Sequence, residues 1–342
     1  MSKQYTYSFH FITLLVVLLL CFVINICLGS VNISFIKTIQ ALFGTVTEDS
    51  SYYIIWEYRL PKAITAILVG GGLSLSGLLM QTLFRNPLAG PYVLGISSGA
   101  SLGAALLIMG TSLFSGVFTF STFNDISLAI ASSLGSFLVL SLVLVVAAKV
   151  KDTMALLIIG LMFGSITAAI VSVLSYFSKA EKLQQYIFWS FGSLGNLSWM
   201  QLLIIALCAI TGIFLSIISI KPLNAFLLGE NYAKSLGIGL KKSRYIIIVA
   251  TGLLAGSITA FAGPIAFVGL AVPHISKQIF NTTDHKIQIP AVLCCGAILM
   301  LLCDTIAQLP GSVSVLPINA ITSIFGAPVV IWLLVRKRKM IF

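Results

Sequence analysis

The uncharged run FITLLVVLLLCFVINICL, from Phe11 to Leu28, has the composition of a membrane-spanning helix. A helix needs about 20 apolar residues to cross the ~30 Å hydrocarbon core of a bilayer. The run is longer than the apolar core of a secretory signal, and no obvious small-x-small cleavage site follows it. We therefore predict a retained helix, and similar runs recur along the chain.

The composition extends this prediction to the whole 342-residue chain. Hydrophobic residues make up 58% and charged residues 8%, and the mean hydropathy is +1.09. Soluble domains carry about 25% charged residues, so a water-soluble fold is excluded. The net charge of +11 does not indicate a nucleic-acid surface, because the basic residues are spaced between apolar runs. We predict an all-α, polytopic membrane protein with a single transmembrane domain over residues 1–342.

Uncharged runs between successive charged residues predict about ten membrane helices. One long run holds two of them, because Gly263–Pro264 interrupts it. The predicted helices are Phe11–Leu28, Ala63–Phe84, Tyr92–Met109, one within 125–149, one within 152–179, Leu202–Ile220, two within 244–277, Ile287–Ala307 and Leu316–Val335.

The basic residues orient these helices. Cytoplasmic loops are enriched in Lys and Arg, and an even number of spans places both termini on the same side. With both termini cytoplasmic, the outer segments hold only five of the 20 Lys and Arg residues, namely Lys37, Arg59, Lys62, Lys179 and Lys182. We therefore predict a multi-pass protein of the bacterial cytoplasmic membrane, in contact with lipid and with both ends inside.

Patterns typical of catalysis and metal binding are absent from the sequence. There is no G-x-x-x-x-G-K-[ST] phosphate loop, and His10, His274 and His285 lie too far apart to suggest a metal site. We predict no enzymatic activity, no catalytic residue, no metal and no directly bound cofactor. Asp304 is the only acid deep within an apolar run, about one turn from its predicted outer end. For Asp304 a capping or packing role is favoured over proton coupling.

The polar segment 221–243 is too long for a simple turn. Its sequence NAFLLGENYAKSLGIGLKK predicts two short amphipathic helices that are separated at Gly229 and end at Gly237 and Gly239. The predicted orientation places this segment on the cytoplasmic side.

Five motifs in fixed order resemble one transporter family. The sequence from about residue 55 onward is similar to the membrane permeases of the iron-siderophore, haem and cobalamin ABC importers, the type II importers. The motifs are RLPK (Arg59–Lys62), RNPLAGPYVLGISSGA (Arg85–Ala100), LLGENYAKSLGI (Leu227–Ile238), GPIAFVGLAVPHI (Gly263–Ile275) and LPINAITSIFGAPVVIWLL (Leu316–Leu334).

The resemblance implies a homodimer of ten-helix subunits with the transport path at its axis. ATP is hydrolysed by separate cytoplasmic ATPase subunits, and a substrate-binding protein docks outside. By similarity, 221–243 is the coupling loop that seats in the ATPase, through Phe226, Leu227, Leu228, Gly229, Glu230, Leu236 and Gly237. The alternative is an amphipathic pair of helices that lies on lipid headgroups.

Arg59 and Lys62 match the basic pair with which the family contacts acidic residues of the binding protein. The alternative is that both cations anchor a helix end at lipid phosphates. The chain departs from the cobalamin-type pattern at two positions. Gln308 stands where that pattern has an arginine, and Val315 stands where it has an acid, which puts one docking contact in doubt.

The family's use of two helices, together with side-chain polarity, suggests residues along the path: Ser165, Thr167, Ser172, Asn319, Thr322 and Ser323. A cytoplasmic gate is expected at Asp152 and Thr153, although Met154 replaces a small polar residue there. The resulting prediction is a permease subunit of an ABC importer for iron-siderophore, haem or cobalamin-type cargo. The alternatives are an ion-coupled secondary transporter and, with less support, a membrane-embedded enzyme.

Overall fold

The computed structural model describes residues 2–31, 33–42, 44, 50–110, 125–150, 153–195, 197–308 and 315–335. These residues form 14 helices and no strand. The helices are α1 (Ser2–Cys27), α2 (Phe35–Leu42), α3 (Ser50–Leu83), α4 (Ile96–Ile108), α5 (Asp125–Lys149), α6 (Thr153–Tyr176), α7 (Ala180–Ser190), α8 (Trp199–Ile218), α9 (Ile220–Leu227), α10 (Glu230–Ser235), α11 (Leu240–Ala262), α12 (Val268–Phe280), α13 (His285–Ala307) and α14 (Ile318–Val335).

Seven of the described helices are long and apolar enough to cross a membrane: α1, α3, α5, α6, α8, α11 and α13. The all-α, membrane-spanning class is thus confirmed, with seven full-length spans where the sequence predicts about ten helices. Three of the predicted helices fall outside these seven, and Pro91 with Gly95 and Gly263 with Pro264 precede two of them, α4 and α12. α4 follows a 3-10 turn at Pro91–Leu94, α12 has 13 residues, and α14 is a shorter apolar helix.

α3 is the central helix of the bundle, and most of it is buried. Glycines allow its neighbours to approach closely, as the sequence predicts for a protein in lipid. A Cβ atom on Gly77 would collide with the carbonyl oxygen of Gly269 on α12. A Cβ atom on Gly70 would collide with the carbonyl oxygen of Gly296 on α13. The backbones of α3, α12 and α13 are therefore in direct contact.

The predicted break at Gly263–Pro264 is confirmed between α11 and α12. Gly263 has φ +76°, a conformation that glycine adopts without strain. Neighbouring segments satisfy the exposed backbone groups. The amide of Ser193 donates to Ala262 O at 2.9 Å, and the amide of Ala266 donates to Asn319 Oδ1 at 3.0 Å. Irregular backbone is tolerated at membrane depth only where protein covers it in this way.

α6 presents an uncovered apolar face. Ile158, Met162, Ile166 and Val173 on this helix are all exposed. A face of this kind is stable in hydrocarbon or against another apolar surface, but not in water. α6 packs on α4, α5 and the 3-10 turn, whereas α14 packs on α12 and α13.

Candidate coupling element and the polar contacts of α13

α9 and α10 form the two short helices that the sequence predicts for 221–243. Gly229 separates them at φ +109°, and Gly237 follows α10 at φ +74°. Side chains with a Cβ atom rarely adopt either conformation, so each glycine is required by its turn. We call α9, α10 and the residues between and after them, 220–237, the coupling element.

The coupling element has one buried and one exposed apolar side. Leu228, Tyr232 and Leu236 are exposed, with 65% of Leu228 accessible. Phe226 is 3% exposed and packs into the core together with Leu223. The expectation that Phe226 belongs to an exposed face is therefore wrong. A helix as short as α9 alternates apolar residues over two faces, and only packing decides which face is buried.

Two arginines lie next to the glycine turn of the coupling element. Arg244 on α11 forms an ion pair with Glu230, the first residue of α10. Arg85 lies in the turn after α3, and its guanidinium would be 3.6 Å from a Cβ atom on Gly229. Of the predicted coupling residues, Glu230 thus has an internal contact. Leu227 is half-buried.

Asn224 joins the coupling element to the first turn of α13. Its amide nitrogen donates to Asp284 Oδ1 at 2.7 Å. Its amide oxygen accepts the backbone amide of His285 at 2.9 Å and lies 2.6 Å from His285 Nδ1. On the other side of the ring, His285 Nε2 lies 2.9 Å from Thr82 Oγ1 on α3. We call these four residues the amide clamp, which the sequence analysis missed.

Asp284 is the N-cap residue of α13, and its side chain also accepts the backbone amide of Lys286. Burial alone would raise the pKa of this carboxyl. The hydrogen bonds from the Lys286 amide and the Asn224 amide outweigh burial, so the pKa lies below its ordinary value. The clamp therefore contains an ionised carboxylate that accepts a hydrogen bond from Asn224.

A second polar cluster lies near the C-terminal end of α13. Asp304 forms a salt bridge of 3.1 Å with Lys62 on α3. The other carboxylate oxygen accepts hydrogen bonds from Asn25 Nδ2 at 3.0 Å and Gln308 Nε2 at 2.7 Å. We call Asn25, Lys62, Asp304 and Gln308 the Asp304 cluster. The packing role expected for Asp304 is realised as a buried ion pair, in which Gln308 supplies a neutral donor.

Arg59 is 8% exposed and satisfies the carbonyl groups at the end of α1. Its guanidinium donates to Ile26 O at 2.8 Å, to Cys27 O at 2.9 Å and to Val31 O. Helix C-termini leave such carbonyls unpaired, and a basic side chain is a common partner. Both predicted docking cations, Arg59 and Lys62, therefore have internal partners. They border a cavity of about 340 Å³ that Val315 also lines.

The predicted path residues are divided between packed and exposed positions. Ser165 and Ser172 are exposed on α6, and Ser323 on α14 is half-buried. Thr167 and Thr322 are buried, and Asn319 is engaged at the α11–α12 break. Because α6 and α14 pack on different helices, one subunit does not bring the two sets together. The predicted gate residue Asp152 lies outside the described residues. Thr153 begins α6, and its side chain is also outside the description.

Metal-binding clusters of three or more His, Cys, Asp or Glu residues are absent from the described segments. His274 is held by the carbonyl oxygen of Pro87, 2.9 Å from its Nε2, so the ring serves as a structural contact. The amide clamp and the Asp304 cluster thus connect helices of the bundle.

Comparison with known families and proteins is decisive for the class of this bundle. The model of the FecCD transport family matches residues 17–336, which is nearly the whole chain. The chain belongs to the FecCD transport family. As a member of this family with seven membrane-length apolar helices, it is an integral membrane transport protein.

Curated relatives of this FecCD-family chain are permeases of vitamin B12 import systems. The chain is 38% identical over 286 residues to the vitamin B12 import system permease protein BtuC of Klebsiella pneumoniae subsp. pneumoniae, covering 83% of each chain. It is 37% identical over 287 residues to BtuC of Salmonella typhimurium, covering 83% of this chain and 84% of the relative. The motifs quoted for the ABC importer permeases are thus part of a relationship that extends over most of the chain.

Two solved structures share the fold. A metal-chelate type ABC transporter in an inward-facing conformation aligns with a TM-score of 0.82 at 30% identity, covering 95% of this chain and 98% of the other. PsaBC from Streptococcus pneumoniae, solved with a Fab, aligns with a TM-score of 0.55 at 16% identity, over 87% and 95% of the two chains. The second likeness concerns the fold alone.

Proposed function

We propose that this chain is the permease subunit of an ATP-driven importer of a large metal chelate, namely an iron-siderophore complex, haem or cobalamin. The observation that carries the proposal is the coupling element. It exposes Leu228, Tyr232 and Leu236 on a rigid base while its other face is buried. An exposed apolar surface on a fixed support fits a protein partner, because apolar surface of this kind is otherwise unfavourable in water. The proposed partner is a cytoplasmic ATPase.

The topology proposed for this function has ten membrane segments and both termini in the cytoplasm. Seven are the full-length spans, and the other three are α4, α12 and α14. In this arrangement the coupling element and the amide clamp face the cytoplasm, and the Asp304 cluster faces outward. Chemical labelling of single cysteines in intact cells tests the arrangement. A cysteine at Leu228 should be protected from a membrane-impermeant reagent, and one at Val315 should react.

The transport path is proposed to lie at the axis of a homodimer, where the uncovered face of α6 meets a second copy. This places Ser165, Ser172 and Ser323 near the path, whereas Thr167, Asn319 and Thr322 support the helices behind it. Small polar contacts suit a path because tight binding would retain the cargo. The gate at Asp152 and Thr153 remains a proposal from the resemblance.

A substrate-binding protein is proposed to dock over the cavity that Arg59 and Lys62 border. Lys62 keeps 19% of its side chain exposed at this cavity, so its ammonium group stays within reach of an acidic partner while it pairs with Asp304. Arg59 contributes by holding the end of α1. Charges at the rim of an interface mainly steer association. The K62M/D304L variant removes the Lys62 charge without leaving Asp304 unpaired, and it should slow docking more than it weakens the final complex.

An ion-coupled secondary transporter is the alternative. Such a carrier needs an ionisable group within the membrane that exchanges its ion. Asp304 is buried, but Lys62 neutralises it and two amide groups occupy its second oxygen. The charge of the carboxylate is therefore already balanced by a fixed cation and two amide donors, which does not suit exchange of a coupling ion. This contact pattern favours the ATP-driven proposal.

Uptake by whole cells tests both the energy source and the cargo. Radiolabelled cyanocobalamin, ferrichrome, ferric enterobactin and haemin are offered to cells with and without the gene for this chain, and to cells that lack the associated ATPase. We expect one chelate class to depend on both genes. Uptake that needs this chain but not the ATPase would support the secondary transporter instead.

A further inference from the structure

Asn224 uses both groups of its side-chain amide on the first turn of α13. The nitrogen donates to the Asp284 carboxylate, and the oxygen accepts from the backbone amide of His285. These contacts fix which end of the amide is oxygen, because a carboxylate accepts hydrogen bonds and a backbone amide donates them. Asn224 is the residue of the coupling element whose side chain forms these bonds to α13.

The orientation of the amide also fixes the protonation of His285. Nδ1 faces an oxygen, so it carries the proton and donates. Nε2 of the neutral ring then faces the hydroxyl group of Thr82, which has one hydrogen and also lies 2.9 Å from the carbonyl oxygen of Leu78. The ring and this carbonyl oxygen therefore share one donor. A chain of contacts thus runs from Asn224 through His285 to α3.

α3 and α13 are joined at both ends and at the middle. The Thr82–His285 contact joins them at the clamp end, and the Lys62–Asp304 salt bridge joins them at the other end. Between these contacts, Gly70 and Gly296 bring the two backbones together. We call this pair the α3–α13 body. At the Asp304 end, the hydrogen bond from Asn25 to Asp304 links the α3–α13 body to α1.

We propose that Asn224 is the positioning residue through which movement of the coupling element reaches the α3–α13 body and, through it, the opposite face of the membrane. The inference rests on the proposed function, since it requires an ATPase that moves the coupling element. A part-buried amide bound to an ionised carboxylate resists separation, because hydrogen bonds to charged groups are the stronger kind.

An exchange of amide and carboxylate tests the proposal. In N224D, two carboxylates face each other and the clamp opens. In D284N, the side-chain oxygen can still accept from Asn224 and cap α13, so the clamp stays closed. In N224D/D284N, the hydrogen bond reforms with its direction reversed. N224A removes the amide without adding charge. In N224A/D284N, the second substitution cannot restore the lost hydrogen bond. N281D places the same substitution three positions before Asp284, on an exposed residue, and serves as the control.

The measured quantity is cargo imported per ATP hydrolysed. Each variant is reconstituted in liposomes with its ATPase and binding protein, and the probe is radiolabelled cyanocobalamin or ferrichrome, whichever the cell assay selects. We expect N224D and N224A to lose about tenfold in this ratio. ATP hydrolysis and the amount of bound ATPase should stay near those of the unmodified protein. N224D/D284N, D284N and N281D should retain the ratio.

Three results would overturn the proposal: an unchanged ratio in N224D and N224A, no recovery in N224D/D284N, or recovery of N224A by D284N. The last would indicate a general effect on stability. If N224D does not fold, N224A and N224D/D284N still test the proposal. The unmodified protein distinguishes failure of the proposed function from failure of the role proposed for Asn224. ATP-independent uptake by the unmodified protein would reject the proposed function, whatever the variants do.

Discussion

At the residue scale, two carboxylates on or next to α13 bind partners from distant parts of the chain. Asp304 is paired with Lys62, and Asp284 is bound by Asn224, which lies 60 positions away. A buried carboxylate without a partner would be strongly destabilising. The sequence pattern identifies Asp304 as unusual, but it does not reveal partners that only helix packing brings near.

The Lys62–Asp304 pair gives a test of this pairing. K62M leaves the Asp304 carboxylate buried beside neutral amides, and we expect it to destabilise the fold by about 3 kcal/mol. K62M/D304L removes both charges and should recover most of that loss. Thermal unfolding of the purified protein in detergent measures both effects. Equal melting temperatures for K62M and the unmodified protein would show that the salt bridge does not contribute to stability.

Gly77 tests the contact between helix backbones. A Cβ atom there would overlap the carbonyl group of Gly269, and backbone has little freedom to yield. We expect G77A to reduce the folded yield severely. Gly110 is the control, because the nearest neighbour of an added Cβ atom is a leucine methyl group at 3.9 Å. If G77A and G110A gave the same yield and melting temperature, direct backbone contact between α3 and α12 would be contradicted.

At the element scale, local sequence signals predict what depends on the backbone. Glycine and proline mark the α9–α10 turn and the α11–α12 break, and both are confirmed. The face that a short helix buries is not a local property. Phe226 and Leu228 are two positions apart and equally apolar, yet one is buried and the other exposed. The sequence therefore locates the coupling element but not its contact surface.

A comparison of L228D with F226D distinguishes this surface from its support. L228D changes an exposed side chain, so the protein should fold normally and lose association with the ATPase. F226D buries a carboxylate without a partner and should lower the yield of folded protein. Size-exclusion chromatography reports folding, and co-purification reports ATPase binding. Normal ATPase binding by well-folded L228D would mean that the ATPase contacts another part of the protein.

At the scale of the whole molecule, some helices of the bundle are closely packed and others expose an apolar face. α3 contacts both α12 and α13 through backbone, whereas α6 leaves an apolar face uncovered. Composition predicts a lipid-immersed helical bundle because hydrophobic surface must face either lipid or a neighbour. It does not predict which helices are central, since α1 and α3 are both apolar and differ mainly in burial.

An ATPase bound to the cytoplasmic face is proposed to drive transport through this bundle. The decisive measurement is import against a concentration gradient into sealed liposomes, with ATP supplied on the ATPase side. We expect accumulation that requires both ATP and the ATPase and that persists when ionophores remove ion gradients. Accumulation without the ATPase, or its loss on addition of an ionophore, would show that ATP hydrolysis is not the energy source.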